Sequence, residues 1–165
     1  MASTAGLRIV AAMGDSSIPP QAAAPATVDF SDPRIYRHWC RDIIRFADLD
    51  AGGHVNNTSF ATFFETGRVA FFADARGRGR AAHDPVLAVR LTFELKSELF
   101  YPGEVDIATM VTHIGNSSLT LNQALFEAGR CAATAECIMV VVDPVGRKPM
   151  RIPDALRQSM LDVAG

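Results

Sequence analysis

Residues 48–76 read DLDAGGHVNNTSFATFFETGRVAFFADAR. The first ten carry two acids, two glycines and two asparagines, residue types that favour turns and loops. From Thr58 to Arg76 the pattern changes. Phe60, Phe63, Phe64, Gly67 and Phe71 recur at i, i+3, i+4, i+7 and i+11, which places them on one helical stripe. Asn56, Asn57 and Thr58 are all good N-cap types, and Gly77-Arg78-Gly79-Arg80 supplies the stop. A glycine inside the stripe costs about 1 kcal/mol of helix propensity relative to alanine. Its presence at Gly67 predicts a helix lying close against a sheet.

The flanking segments supply that sheet. His38 to Ala47 reads as a strand, with Trp39, Ile43, Ile44 and Phe46 as apolar content and Arg41, Asp42 and Arg45 interrupting the alternation. Downstream, Leu87, Val89, Leu91, Phe93 and Leu95 alternate with polar residues in a period of two. Three more strands are expected over Val105–Ile114, Leu119–Phe126 and Cys131–Val142. They are separated by turn-forming Gly115-Asn116-Ser117-Ser118 and Glu127-Ala128-Gly129-Arg130. A short helix follows from Pro153 to Val163, with the proline in its first turn. The order of strand, long helix, four strands and short helix predicts an α+β domain, an antiparallel sheet curled around a central helix. Residues 1–31, rich in Ala, Ser and Pro, read as a flexible tail, and residues 32–165 as the single domain.

The chain has 165 residues, 48% hydrophobic and 21% charged, a balance that disfavours full-length disorder or a fibrous repeat. A net charge of −2 offers no basic field for nucleic acid. No apolar run reaches membrane-spanning length. Cys40, Cys131 and Cys137 show no metal-ligand spacing, so neither a metal nor another cofactor is expected. Three reduced thiols, two of them on one strand, suit a cytoplasmic protein. His38, His83 and His113 belong to no recognisable motif and are expected to be structural or solvent-facing.

Chemistry concentrates at the start of the long helix. The first amides of a helix lack intrahelical partners, and the helix dipole makes that end positive. A carbonyl aimed there is polarised, and an oxyanion formed from it is stabilised. A carboxylate at Asp50 could attack the carbonyl carbon or activate a water. The glycines allow close approach of a ligand to the main chain. A loop of Asp, Gly and Asn that merely caps a helix has the same composition.

The run Phe46-Ala-Asp48-Leu-Asp50-Ala-Gly-Gly53-His54-Val55-Asn56-Asn57, followed by Phe60, Phe64-Glu65 and Arg68, resembles the signature of the hotdog-fold acyl-CoA thioesterases. Within that fold it resembles the 4-hydroxybenzoyl-CoA thioesterase family, and the His-Val-Asn-Asn variant is also found in plant-type acyl-carrier-protein thioesterases. The resemblance extends to Pro102-Gly103-Glu104, Ile114-Gly-Asn-Ser117-Ser118-Leu119 and Ile152-Pro153, and covers roughly His38 to Met160. It implies a hotdog domain that hydrolyses an acyl thioester of CoA or of a carrier protein and assembles as a homodimer or homotetramer. It places the catalytic carboxylate on Asp50 and the carbonyl-polarising amide near Asn57. Two departures stand out: Phe60 where the family often has Tyr, and Phe100-Tyr101-Pro102-Gly103-Glu104 where Arg-Pro is common before the turn.

The candidate catalytic residues are therefore Asp50, Asn57 and His54, with His54 orienting substrate or assisting a proton transfer. Candidate substrate-binding residues are Gly53, Asn56, Glu65, Ser117 and Ser118, the two serines as contacts to the CoA arm or as simple turn formers. Asp48 is expected to hydrogen-bond its own loop. Glu65 and Arg68, at i and i+3, match the family's helix pattern and are also spaced for a surface ion pair. Arg147 and Lys148 could meet phosphates or lie in a solvated loop. A non-catalytic acyl-binding subunit remains the alternative; a hydratase would need an Asp and a His paired on another segment, and a transcriptional regulator a helix-turn-helix pattern.

Overall fold

The computed structural model describes residues 28–77 and 85–164. Most of the expected tail, His83 and the Arg78-Gly79-Arg80 stop lie outside the described residues. Five strands and two α-helices follow in the order β1 (His38–Ile44), α1 (Asn57–Ala75), β2 (Val86–Leu95), β3 (Gly103–Ile114), β4 (Ser118–Glu127), β5 (Arg130–Val141) and α2 (Asp154–Ala164). The strands form one antiparallel sheet in the order β1-β3-β4-β5-β2. The first strand after α1 therefore does not join its sequence neighbours. It crosses to the far edge and pairs with β5, with a register shift between Ala88 and Arg90. Pro153 sits just ahead of α2 rather than within it, its carbonyl accepting the first helical bond from Arg157 at 2.9 Å.

The charges that interrupt β1 have a cross-strand explanation. Arg41 faces β3, its Nε 2.7 Å from Asp106 and its Nη1 3.1 Å from Glu104. Such opposed charges support the pairing without disturbing the alternation of the buried residues. Burial in β1 does alternate, with His38 and Ile44 buried at its ends. His38, expected to be structural or exposed, is structural: its ring packs edge-on to Phe71, and Nε2 lies 3.2 Å from Asp74.

One face of the sheet receives α1. Phe60, Phe63 and Phe64 join Ile44, Val55, Leu99, Ile107 and Leu125 in one core cluster. Phe71 and Phe72 join Leu121, Met139, Ile152, Leu156 and Met160 in a second, which α2 closes. Between them lies a polar belt. Gln123 donates from Nε2 to the Phe64 carbonyl and to Thr109 Oγ1, both at 3.0 Å. Arg68, only 7% exposed, donates from Nη1 to Gln123 Oε1 at 3.2 Å. The surface ion pair expected for Glu65 and Arg68 does not form; Glu65 faces solvent while Arg68 turns inward to the glutamine. Arg68, Gln123 and Thr109 are thereby hydrogen-bonded, as groups removed from water need to be. On the opposite face, Tyr36 covers Ala108, Ala124 and Phe126, and its hydroxyl donates to the Phe30 carbonyl at 2.9 Å.

Gly67 sits at the closest approach of helix and sheet. A Cβ built there would stand 2.5 Å from Ile107 Cγ2 and 2.7 Å from Gln123 Nε2. The sequence expectation for this residue holds, and the reason is steric. Gly67→Ala gains helix propensity but must push the helix off the sheet. Overpacking of this kind costs about 1–3 kcal/mol. The expected result is a lower urea midpoint at unchanged m value; an unchanged or higher midpoint would contradict the close packing.

Candidate active site

The segment between β1 and α1 is held by its own main chain. Asp48 Oδ2 accepts the Arg45 amide at 2.7 Å, so this acid serves the loop, as expected. Its carbonyl accepts the Asn56 amide at 2.8 Å and the Ser59 hydroxyl at 3.0 Å. Leu49 and Val55 form a bridge, and within it the Asp50 amide donates to the His54 carbonyl at 3.0 Å. Gly53 adopts a φ of +83°, a conformation that side chains disfavour. Gly52 has a different reason to be glycine. A Cβ there would meet His54 Nε2 at 3.0 Å and Asp50 Oδ1 at 3.1 Å. The small turn thus brings the acid and the imidazole together over bare backbone.

Asp50 Oδ1 accepts the Gly52 amide at 2.7 Å, and Oδ2 lies 3.5 Å from His54 Nδ1. The carboxylate is fixed on one side by a main-chain donor and faces the imidazole on the other. Its side chain keeps 31% of its exposure, so a water or substrate can still reach it.

The helix begins immediately beyond. Asn56 is its N-cap, and its Oδ1 accepts the Thr58 amide at 2.9 Å and the Thr58 hydroxyl at 2.8 Å. A cap of this kind is worth about 1 kcal/mol. The Ser59 amide donates to the Asn56 carbonyl at 2.9 Å. That leaves the Asn57 amide, which no acceptor claims among the described residues, at the positive end of a 19-residue helix. Asn56 thus acts as the cap, and Asn57 presents its main chain.

The facing wall comes from far away in sequence. Val55 donates its amide to the Leu99 carbonyl at 2.8 Å, which ties the loop to the β2–β3 connection. Leu95, Lys96, Ser97 and Glu98 then stand opposite His54, Val55, Asn57 and Phe60 across a cavity of about 290 Å³. This volume sits near the lower end of small-molecule sites, enough for a reacting head group rather than a whole cofactor-sized molecule. Phe60, where a tyrosine is common in the resembling family, gives the cavity an apolar wall. Asp50 is not itself among the lining residues; it lies 3.5 Å from His54, which is. Nothing local in the sequence marks residues 95–98; only the strand crossover brings them here.

Asp50, Gly53, His54, Asn56 and Asn57 are therefore brought together. Ser117 and Ser118 are not, within one chain. β3 runs from Gly103, beside Ile44 and the loop, to Ile114, so the 115–118 turn occupies the other end of the sheet. There the Ser117 carbonyl accepts the Val141 amide, and the Ser118 carbonyl accepts the Gly115 amide. Both serines close a turn. Glu65 is exposed two helical turns beyond the site, and Arg147 and Lys148 lie in the exposed loop after β5.

The thiols offer no competing nucleophile. Burial pushes the Cys40 thiol up to about 11, and it likewise raises Cys131 and Cys137. All three remain protonated near neutrality, and the thiolate is the reactive form. Among the described residues no group of three or more His, Cys, Asp and Glu side chains converges as a metal site would require. No described helix is long and apolar enough to cross a membrane.

With fold and site in place, residues 44–160 match the family model of the thioesterase-like superfamily. The chain belongs to that superfamily. It is 27% identical over 121 residues to the acyl-CoA thioester hydrolase YbgC of Escherichia coli, a match spanning 68% of this chain and 87% of the relative. Among solved structures, it resembles the PA5185 protein of Pseudomonas aeruginosa with a TM-score of 0.71 and 26% identity, over 79% of this chain and 93% of that one. It also resembles a Thermus thermophilus thioesterase solved with coenzyme A and Zn, with a TM-score of 0.69 and 25% identity, over 79% and 96% of the two chains. The five-stranded sheet with its packed helix is the hotdog fold of these thioesterases.

The thiol shifts make a pH prediction with a definite sign. The fold favours neutral Cys40, so that contribution is whole below about pH 9, the ordinary value for the thiol. It is lost as pH rises through about 11. Urea midpoints should fall across this window, and Cys40→Ala should show a shallower fall than the wild type. Identical slopes would place Cys40 outside the burial that raises it.

Proposed function

We propose that this chain hydrolyses acyl-CoA thioesters, with Asp50 as nucleophile or general base and the Asn57 amide as the group that polarises the carbonyl. The observation that carries this reading is one cavity lined by both His54 and Asn57, the first residue of the helix, with the Asp50 carboxylate 3.5 Å from His54. The kinship with a named acyl-CoA thioester hydrolase supplies the substrate class.

In this scheme the thioester carbonyl oxygen sits against the Asn57 amide, where the helix dipole favours developing negative charge. Its carbon then faces the loop. Either Asp50 attacks it directly, forming an anhydride that water opens, or Asp50 takes a proton from a water that attacks. The carbon–sulfur bond breaks, the acyl group leaves as the carboxylic acid, and the sulfur leaves as coenzyme A thiol after gaining a proton. His54, 3.5 Å from Asp50 and on the cavity wall, is placed to relay that proton. Gly53 and Asn56 hold the turn and the cap that aim these groups.

The test is turnover of a panel of aliphatic and aromatic acyl-CoAs. Wild type should hydrolyse at least one. Asp50→Asn keeps the shape of the side chain and should lose activity about 100-fold or more, within the range expected for removing a general base. His54→Ala should lose less. Equal rates for wild type and Asp50→Asn would remove Asp50 from the mechanism. Absence of turnover with every acyl-CoA would reject the hydrolase reading.

We also propose a homo-oligomer built on the β2 edge, in a reducing compartment such as the cytoplasm. The described thiols are unpaired, which suits such a compartment. Among the described residues β2 pairs on one side only, with β5, and Val89 at its bulge is 60% exposed. An open strand edge with apolar side chains is a template for pairing with another chain. Light scattering of the purified protein should give a dimer or tetramer mass, and Val89→Lys should shift it to a smaller species. A wild-type monomer at tens of micromolar would exclude this assembly.

A further inference from the structure

Ser97 lies two residues beyond β2, in the β2–β3 connection, and lines the cavity with His54 and Asn57. Its backbone is fixed. The Lys96 and Ser97 amides both donate to the Ala132 carbonyl, at 2.8 and 3.1 Å. Arg130 Nη2 donates to the Glu98 carbonyl next to it at 3.4 Å. Its hydroxyl, by contrast, is shut off from solvent and has no hydrogen-bond partner among the described residues. A buried hydroxyl in that condition destabilises the fold unless a ligand accepts its proton. One rotatable bond, χ1, carries this hydroxyl, so it can take up a new partner with no backbone movement.

We propose that Ser97 is the second donor to the thioester carbonyl oxygen, completing with the Asn57 amide a two-donor site for the developing oxyanion. The proposal rests on the hydrolase reading of the same cavity. The two donors have different origins: one is main chain at a helix start, the other a side chain on the β2–β3 connection. The substrate carbonyl is held between them, and the oxygen gains its second hydrogen bond from a group that the fold leaves unpaired. The arrangement trades stability for function, as binding groups often do.

That trade gives the test its signature, because removing the hydroxyl breaks no contact within the protein. Ser97→Ala should keep or raise the thermal midpoint while lowering kcat/KM roughly tenfold, the loss expected for one uncharged hydrogen bond. Two non-hydrolysable ligands locate the contact. An acyl-CoA ketone analogue, with methylene in place of the sulfur, keeps the carbonyl; an S-alkyl-CoA thioether lacks it. Ser97→Ala should bind the ketone roughly tenfold more weakly than wild type and the thioether equally well. Equal effects on both ligands, or no effect on either, would overturn the proposal. So would a lowered midpoint, which would reveal a structural partner for the hydroxyl. The two readings separate cleanly. If wild type hydrolyses no acyl-CoA yet the ketone and thioether still discriminate Ser97→Ala, the hydrolase reading fails and the contact stands. If wild type turns over acyl-CoA and Ser97→Ala matches it in every measurement, only the Ser97 contact fails.

Discussion

The approach of α1 to the sheet at Gly67 governs everything downstream. With no side chain at that position, the helix settles until Ile107 and Gln123 fill the space a Cβ would take. Gln123 then reaches the Phe64 carbonyl, and Arg68 reaches Gln123. These contacts lock the helix along its axis as well as against the sheet. Its N-terminus is therefore held at a defined depth, and the Asn57 amide is presented to the cavity at one place. A reaction that depends on a few tenths of an ångström between amide and carbonyl oxygen needs that rigidity.

The site itself uses very little side-chain chemistry. In the proposed scheme one carboxylate, one imidazole and main-chain amides do the positioning, and two adjacent glycines make room for them. The glycines act differently: Gly53 by its left-handed backbone, Gly52 by leaving space beneath the Asp50–His54 pair. Asp48 and Asn56 are both engaged in capping, one for the loop and one for the helix. The economy has a physical basis. Backbone donors are already ordered by the fold and cost no side-chain entropy when a substrate arrives.

Local patterns made much of this legible. The phenylalanine stripe gave α1 to within a residue at each end, and alternation and turn residues gave the strands. The shape of the Asp50–Asn57 segment was legible because its constraints are local: a tight turn, a left-handed glycine and an N-cap all act between neighbours in sequence. Glu65 and Arg68 misled for the opposite reason. Their spacing fits a surface pair, but the inward turn of Arg68 is set by Gln123, 55 residues later. Ser117 and Ser118 fit a motif, yet β3 carries them to the far end of the sheet.

The amino-acid sequence alone determined the helix, its cap and the need for a small residue at Gly67. Each follows from short-range sterics or hydrogen bonding between nearby residues. The order of the strands was settled only in three dimensions. β2 crosses past its sequence neighbours to pair with β5, and this crossing carries Leu95–Glu98 to the mouth of the helix. Strand order follows from which apolar faces can be buried together across the whole chain, a balance that no short window of sequence contains.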